Sequence, residues 1–224
     1  MGARTITVKE SVLAVNNRVA SATRERLNRS GILMINVMSS PGSGKTSLIV
    51  QTVRKFKYMV RIAVIEGDIA SSVDSDRISR EGVAAVQINT GGGCHLDASM
   101  VQKAFDKLNL ESTDLVFIEN VGNLVCTADF DLGAHRNVVI LSVPEGDDKP
   151  YKYPVMFSES DVVLVNKTDV LPYFDFNLAG FTGIIEGMNP SARIFRVSAK
   201  TGDGMDSWYS WIEEEIDRKR QDKE

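Results

Sequence analysis

The nine residues Met38–Thr46, MSSPGSGKT, constrain this chain more than any others, because such a loop works only between a buried strand and a helix. Gly42 and Gly44 allow a tight turn that aims successive backbone N–H groups at oxyanions. Pro41, Gly42, Ser43, Gly44, Lys45, Thr46 and Ser47 are therefore the expected phosphate-binding residues. Lys45 would reach the β- and γ-phosphates, and the Thr46 hydroxyl would ligate magnesium. The apolar run Ile32–Val37 feeds the loop, and Ser47–Lys57 reads as a helix whose positive end favours phosphate. There is one departure. The usual pattern GxxxxGK[ST] opens on glycine, where this chain has Ser39, which fits if its dihedrals stay in an ordinary region.

From residue 31 onward, short β-branched runs alternate with helical patterns. The runs are Ile32–Val37, Val60–Ile65, Val83–Ile88, Leu115–Ile118, Val138–Val143, Val162–Val165 and Ile194–Val197. The stretches Leu48–Phe56, Leu96–Leu108 and Met205–Ile216 suit crossover helices. Residues 31–224 are thus expected to form an α/β domain, a mostly parallel doubly wound sheet flanked by helices, with ligands at the carboxyl ends of its strands. Residues 1–30 are expected to form an amphipathic helix packed on that domain or on a partner, with Val8, Val12, Val15, Val19 and Leu27 on one face.

With 224 residues and 43% hydrophobic content the chain can bury a full core, and its net charge of −4 disfavours nucleic acid as a partner. No apolar stretch approaches the roughly 20 residues that span a bilayer. The segment MGARTITVKESV has no apolar signal core, so the cytoplasm is the expected location.

Two segments choose the base. Asn166-Lys167-Thr168-Asp169 follows the sixth run, and a carboxylate there can accept hydrogen bonds from guanine N1–H and the exocyclic amino group. Adenine lacks that donor pair and would leave the buried carboxylate unpaired. Lys167 would lie along the base, and the backbone N–H groups of Ser198-Ala199-Lys200 would meet guanine O6. At the triphosphate end stand Glu66-Gly67-Asp68 and Glu119-Asn120-Val121-Gly122, the second being a DxxG-like segment with glutamate first. Glu119 would hold magnesium directly or through water, and the Gly122 amide would sense the γ-phosphate. Thr46, Asp68 and Glu119 are the magnesium candidates; Lys45, Asp68 and Asp74 are the catalytic ones, with either aspartate able to orient magnesium or the attacking water. Asp76 reads as a helix cap before Arg77–Glu81.

A second constellation carries soft ligands. Three glycines end the third run, and Cys94 and His95 follow at the expected start of a helix, which would lower the thiol pKa. Cys126, the other cysteine of the chain, lies seven residues after Glu119. Thiolate and imidazole suit nickel or zinc. Three ligands leave a tetrahedral site open, and a twofold dimer would complete it. Cys126 shares a loop with the expected γ-phosphate sensor, so cleavage of GTP to GDP would move a metal ligand. His135, in DLGAHRNV, reads as a surface residue.

These residues together resemble the HypB family. The likeness runs through SSPGSGKT, EGDIASSVD, QINTGGGCHLDA, IENVGNLVC, FDLG, SVPEGDDKPYKYP and NKTD, of which CHLDA and IENVGNLVC are far more specific than the phosphate loop. The resemblance implies a P-loop GTPase of the SIMIBI class that inserts nickel into [NiFe]-hydrogenase. It further implies slow hydrolysis, a homodimer favoured by GTP, and a nickel or zinc site at the dimer interface built from Cys94, His95 and Cys126. Implied partners are GTP or GDP, a HypA-like zinc-containing protein and the hydrogenase precursor. Lys149, in EGDDKP, would act across the dimer. The cysteine motif and the histidine-rich tract of some members have no counterpart in residues 1–30. Two rivals remain. The urease accessory GTPases show Cys-Pro-His where this chain has Cys94 next to His95, and a small-molecule P-loop kinase would not carry NKTD and SAK.

Overall fold

A computed structural model describes the backbone of residues 8–68 and 73–222 and the side chains of residues 12–68 and 76–222. All seven apolar runs are strands: β1 (Leu33–Ser39), β2 (Ile62–Asp68), β3 (Ala84–Asn89), β4 (Leu115–Glu119), β5 (Arg136–Ser142), β6 (Val162–Asn166) and β7 (Arg193–Arg196). They form one parallel sheet in the order β3-β2-β4-β1-β5-β6-β7. β1 lies between β4 and β5, so the chain leaves it at the point where the sheet is wound in opposite directions, where ligands of such sheets bind.

The helices are α1 (Val8–Ser30), α2 (Lys45–Phe56), α3 (Val73–Ser79), α4 (Ala98–Phe105), α5 (Cys126–Asp129), α6 (Lys149–Lys152), α7 (Pro154–Ser158), α8 (Leu178–Met188) and α9 (Met205–Gln221). β1, β4 and β6 are buried along their whole length, as strands covered on both faces must be. Side chains of α2, α3 and α9 form one core with the sheet. Those of α1 and α4 form a second, and those of α7 and α8 a third. Trp208 of α9 is fully buried, and its indole N–H donates to Thr52 Oγ1 at 2.8 Å, which fixes α9 against α2.

α1 departs from its expected face. Val12 and Val15 are 49% and 51% exposed, while Asn16, Ala20, Thr23 and Leu27 are buried. The polar Asn16 turns inward because two backbone groups need it. Its Oδ1 accepts the Ala98 N–H at 2.8 Å and its Nδ2 donates to the Asp131 carbonyl at 2.8 Å. Arg24 adds a paired contact to Asp131 at 2.6 and 2.8 Å. Val12 and Val15 are thereby turned outward, while the Val8 side chain lies outside the described residues. No helix among the described residues is long and apolar enough to cross a membrane.

His135 also departs from expectation, for it is a partly buried pin and not a surface group. Its Nδ1 accepts the Met34 N–H at 3.0 Å, and its Nε2 lies 2.9 Å from Asn28 Oδ1 and 3.0 Å from the Lys219 ammonium. Burial first, then the charges of Lys219, Arg24 and Arg136, lower its pKa to about 4. The ring is therefore neutral in the fold, and the unfolded chain binds the extra proton as pH falls below 6.5. Urea unfolding should lose on the order of 2 kcal/mol between pH 6.5 and about 4 through this residue, after allowance for its partial exposure. His135→Gln should flatten that part of the profile; an unchanged slope would contradict the assignment.

Candidate functional site

Because every strand runs the same way, every strand's carboxyl end reaches one edge of the sheet, and the candidate groups collect there. The phosphate loop leaves β1 and enters α2 at Lys45. Ser39 is fully buried, and Lys167 is the one non-glycine residue with positive φ among those described, so serine sits in an ordinary conformation. Its hydroxyl has a use. Ser39 Oγ accepts the Lys45 ammonium at 3.0 Å and bonds Ser43 Oγ, so the serine that replaces glycine holds the loop lysine and closes the turn.

Thr46 and Glu119, both buried, meet across the cleft, with Thr46 Oγ1 donating to Glu119 Oε1 at 2.7 Å. Glu66, Gly67 and Asp68 at the end of β2 line the same space. Hard oxygen donors converging beside a phosphate loop fit magnesium better than a softer ion. This phosphate cleft, of about 530 Å³, also takes in Pro41, Gly42, Lys45 and Gly122. Gly122 must be small: a Cβ there would lie 2.9 to 3.0 Å from Cγ, Cα and N of Pro41.

A second cleft of about 680 Å³ is lined by Asn166, Lys167, Asp169, Ala199 and Lys200. The two share Gly44, Ser47, Arg77 and Lys167, so they form one continuous groove of a size for a nucleotide. The base end is tied to the phosphate end. Asn166 Nδ2 donates to the Ser43 carbonyl at 2.8 Å, and Lys167, held at φ 61°, donates to the Gly42 carbonyl at 2.6 Å. Asp169 Oδ1 accepts the Ser198 hydroxyl at 2.7 Å, which aims the carboxylate. Two expected amides are already engaged: Ser198 N–H donates to the Asp203 carbonyl at 2.8 Å and Ala199 N–H to Asn166 Oδ1 at 3.1 Å. Ser198 and Ser43 are both fully buried, behind the residues that line the groove.

Sequence reasoning missed Arg54, Arg77, Arg80 and Glu81, which line the base cleft where α2 meets α3. No motif marks them, since their closeness comes from tertiary packing. The Asp74 side chain lies outside the described residues, and Asp76 falls inside α3 and not at its cap.

The soft ligands come together. Ligand atoms of Cys94, His95 and Cys126 all lie within 4.8 Å of one another, at half-buried positions, with Cys94 Sγ 3.6 Å from His95 Nδ1. In a tetrahedral thiolate site such atoms stand about 3.8 Å apart, so small inward shifts would close them on an ion. The hydrogen bond to Cys94, then burial, raise the Cys126 thiol pKa, and a divalent cation would supply the charge that two thiolates need. The His95 ring stacks on Phe130 at 3.9 Å, which holds its orientation. One expectation fails here. α4 begins at Ala98 with Asp97 as its cap, so Cys94 lies outside the turn over which a helix end stabilises a thiolate. Cys126 instead opens α5, its N–H donating to Asn123 Oδ1 at 2.9 Å.

Comparison with known proteins agrees with this geometry. The family described as CobW/HypB/UreG, nucleotide-binding domain, matches residues 33–196. A hydrogenase maturation factor HypB from Rhizobium leguminosarum bv. viciae is 49% identical over 94% of this chain and 70% of its own. A crystal structure of HypB from Helicobacter pylori in complex with nickel is similar at 41% identity and a TM-score of 0.85, over 91% of this chain and 95% of that one. The signal recognition particle receptor FtsY from Elizabethkingia anophelis, at 16% identity and a TM-score of 0.53 over 89% of this chain and 73% of its own, shows the fold alone.

The close seat of Gly122 on Pro41 has a measurable consequence. Gly122→Ala should weaken binding of a fluorescent guanine nucleotide at least about tenfold, roughly 1.4 kcal/mol, without unfolding the sheet. Wild-type affinity in that variant would contradict the packing.

Proposed function

The chain belongs to the HypB family of hydrogenase maturation factors, and from that premise we propose that it binds and hydrolyses GTP and carries nickel toward a [NiFe]-hydrogenase precursor, releasing it according to nucleotide state. The observation that carries the reading is the gathering of Cys94, His95 and Cys126 on two loops, one of which begins at the expected γ-phosphate sensor Gly122. Lys45 and the phosphate-loop amides hold the triphosphate, and Asp169 reads guanine. Thr46, Asp68 and Glu119 hold magnesium, which when bound neutralises charge on the phosphates. Asp68 and Asp74 share the task of orienting the attacking water.

Nickel is the cargo, with zinc an equally fitting ion for this donor set. A second copy of the chain closes the metal site, and GTP favours that homodimer. Lys149, which donates to the Glu145 carbonyl and pairs with Asp148 at 3.1 Å, acts across it. A HypA-like zinc-containing protein and the hydrogenase precursor are the partners, in the cytoplasm. The adjacency of Cys94 and His95 supports this reading over a urease accessory GTPase, and the Asp169–Ser198 arrangement supports it over a small-molecule kinase.

Nickel affinity, read by competition with a coloured chelator, should differ about tenfold between GDP and a non-hydrolysable GTP analogue, a difference of about 1.4 kcal/mol. Size-exclusion chromatography in the same samples should show the dimer with the analogue. Equal affinities with an unchanged oligomeric state would overturn the proposal. Separately, Asp169→Asn should weaken GTP and improve xanthosine triphosphate; an unaltered preference would remove Asp169 as the base reader.

A further inference from the structure

Leu96, next in sequence to His95, is fully buried and stands against the phosphate cleft. Its side chain rests on Gly67, where an added Cβ would stand 2.8 Å from Leu96 Cγ and Cδ1. Its backbone N–H donates to Asn120 Oδ1 at 3.4 Å. Leu96 thus touches two strand ends that line the phosphate cleft, Gly67 of β2 and Asn120, the residue that follows β4. Asn120 is itself anchored on several sides. That residue is buried, its own N–H donates to the Val37 carbonyl at 3.0 Å, and its Oδ1 also accepts the Val121 N–H at 2.9 Å. Its Nδ2 donates to Asn36 Oδ1 at 3.2 Å, and Asn36 Nδ2 donates to Asn137 Oδ1 at 3.0 Å.

A buried amide used at both ends cannot shift without moving its partners or leaving polar groups unpaired. We propose that Asn120 is the positioning residue that couples the nucleotide cleft to the metal ligands, passing movement of the β4 end to His95 and Cys94 through the Leu96 amide. This rests on the gating read above and names its working part. When Glu119 moves with the nucleotide, Asn120 moves as its neighbour, and the Leu96 N–H follows the acceptor. The second ligand loop has its own route, from Pro41 through Gly122 to Asn123, whose Oδ1 holds the Cys126 N–H. Removal of Asn120 therefore frees Cys94 and His95 while leaving Cys126 in place.

The test compares nickel affinity with GDP and with the GTP analogue in the full chain and in Asn120→Ala. The expected result is a ratio that falls from about tenfold to below about twofold, while nickel still binds the nucleotide-free variant within about threefold of wild type. A folded Asn120→Ala protein that keeps the whole ratio overturns the proposal. A ratio near one in the unaltered protein removes the gating reading itself, and this coupling with it. Should Asn120→Ala fail to fold, hydrogen exchange at the Leu96 amide of the unaltered protein decides the matter. Different protection in the two nucleotide states supports the coupling, and equal protection overturns it.

Discussion

A sheet whose strands all run one way puts every strand's carboxyl end at the same edge, and the rest of this molecule depends on that constraint. β1 delivers the phosphate loop, β2 delivers Glu66 and Asp68, β4 delivers Glu119, and β6 delivers Asn166 and Asp169. β3 ends in the turn that leads to Cys94 and His95. Residues far apart in the chain become neighbours because the crossover helices return each strand to the same start. Burial of the strands on both faces makes the edge rigid enough to hold oxygen and sulfur ligands in register.

That edge holds two chemistries side by side. Hard oxygens from Thr46, Asp68 and Glu119 face the groove, and soft sulfur and nitrogen from Cys94, His95 and Cys126 stand on the loops beyond. Such a separation by ligand softness would keep a divalent hard cation and a borderline metal from competing for one place. The loops that join them are short, and each is held by a side-chain amide, Asn120 for one and Asn123 for the other. Displacement at a strand end therefore has a covalent and hydrogen-bonded route to each ligand loop.

Much of this was legible from residue patterns, and the exceptions have physical causes. Short apolar runs marked all seven strands, most plainly the central ones such as Val162–Val165, because a strand buried on both faces must be apolar throughout. Adjacent Cys94 and His95 pointed to Cys126 through chemistry alone, and the fold brought them together. The face of α1 was misread because hydrophobic spacing favours Val12 and Val15, whereas the Ala98 N–H and the Asp131 carbonyl required Asn16. α8 escaped notice since Gly180, Gly183 and Gly187 lower its helix propensity, and Phe181 and Ile185 stabilise it only by tertiary burial. The Asn36–Asn120–Asn137 ladder was invisible for a similar reason. Asn36 and Asn137 lie on neighbouring strands and Asn120 just past the end of a third, and only the sheet brings them into contact.

Linkage makes the central claim reciprocal: if nucleotide state changes nickel affinity, nickel must change nucleotide affinity by the same factor. The most direct measurement is isothermal titration of the GTP analogue and of GDP into the metal-free and the nickel-loaded protein. Coupling predicts that loading with nickel changes the ratio of the two nucleotide affinities by about tenfold. Identical ratios with and without nickel would mean that the groove and the sulfur ligands, though neighbours, do not communicate.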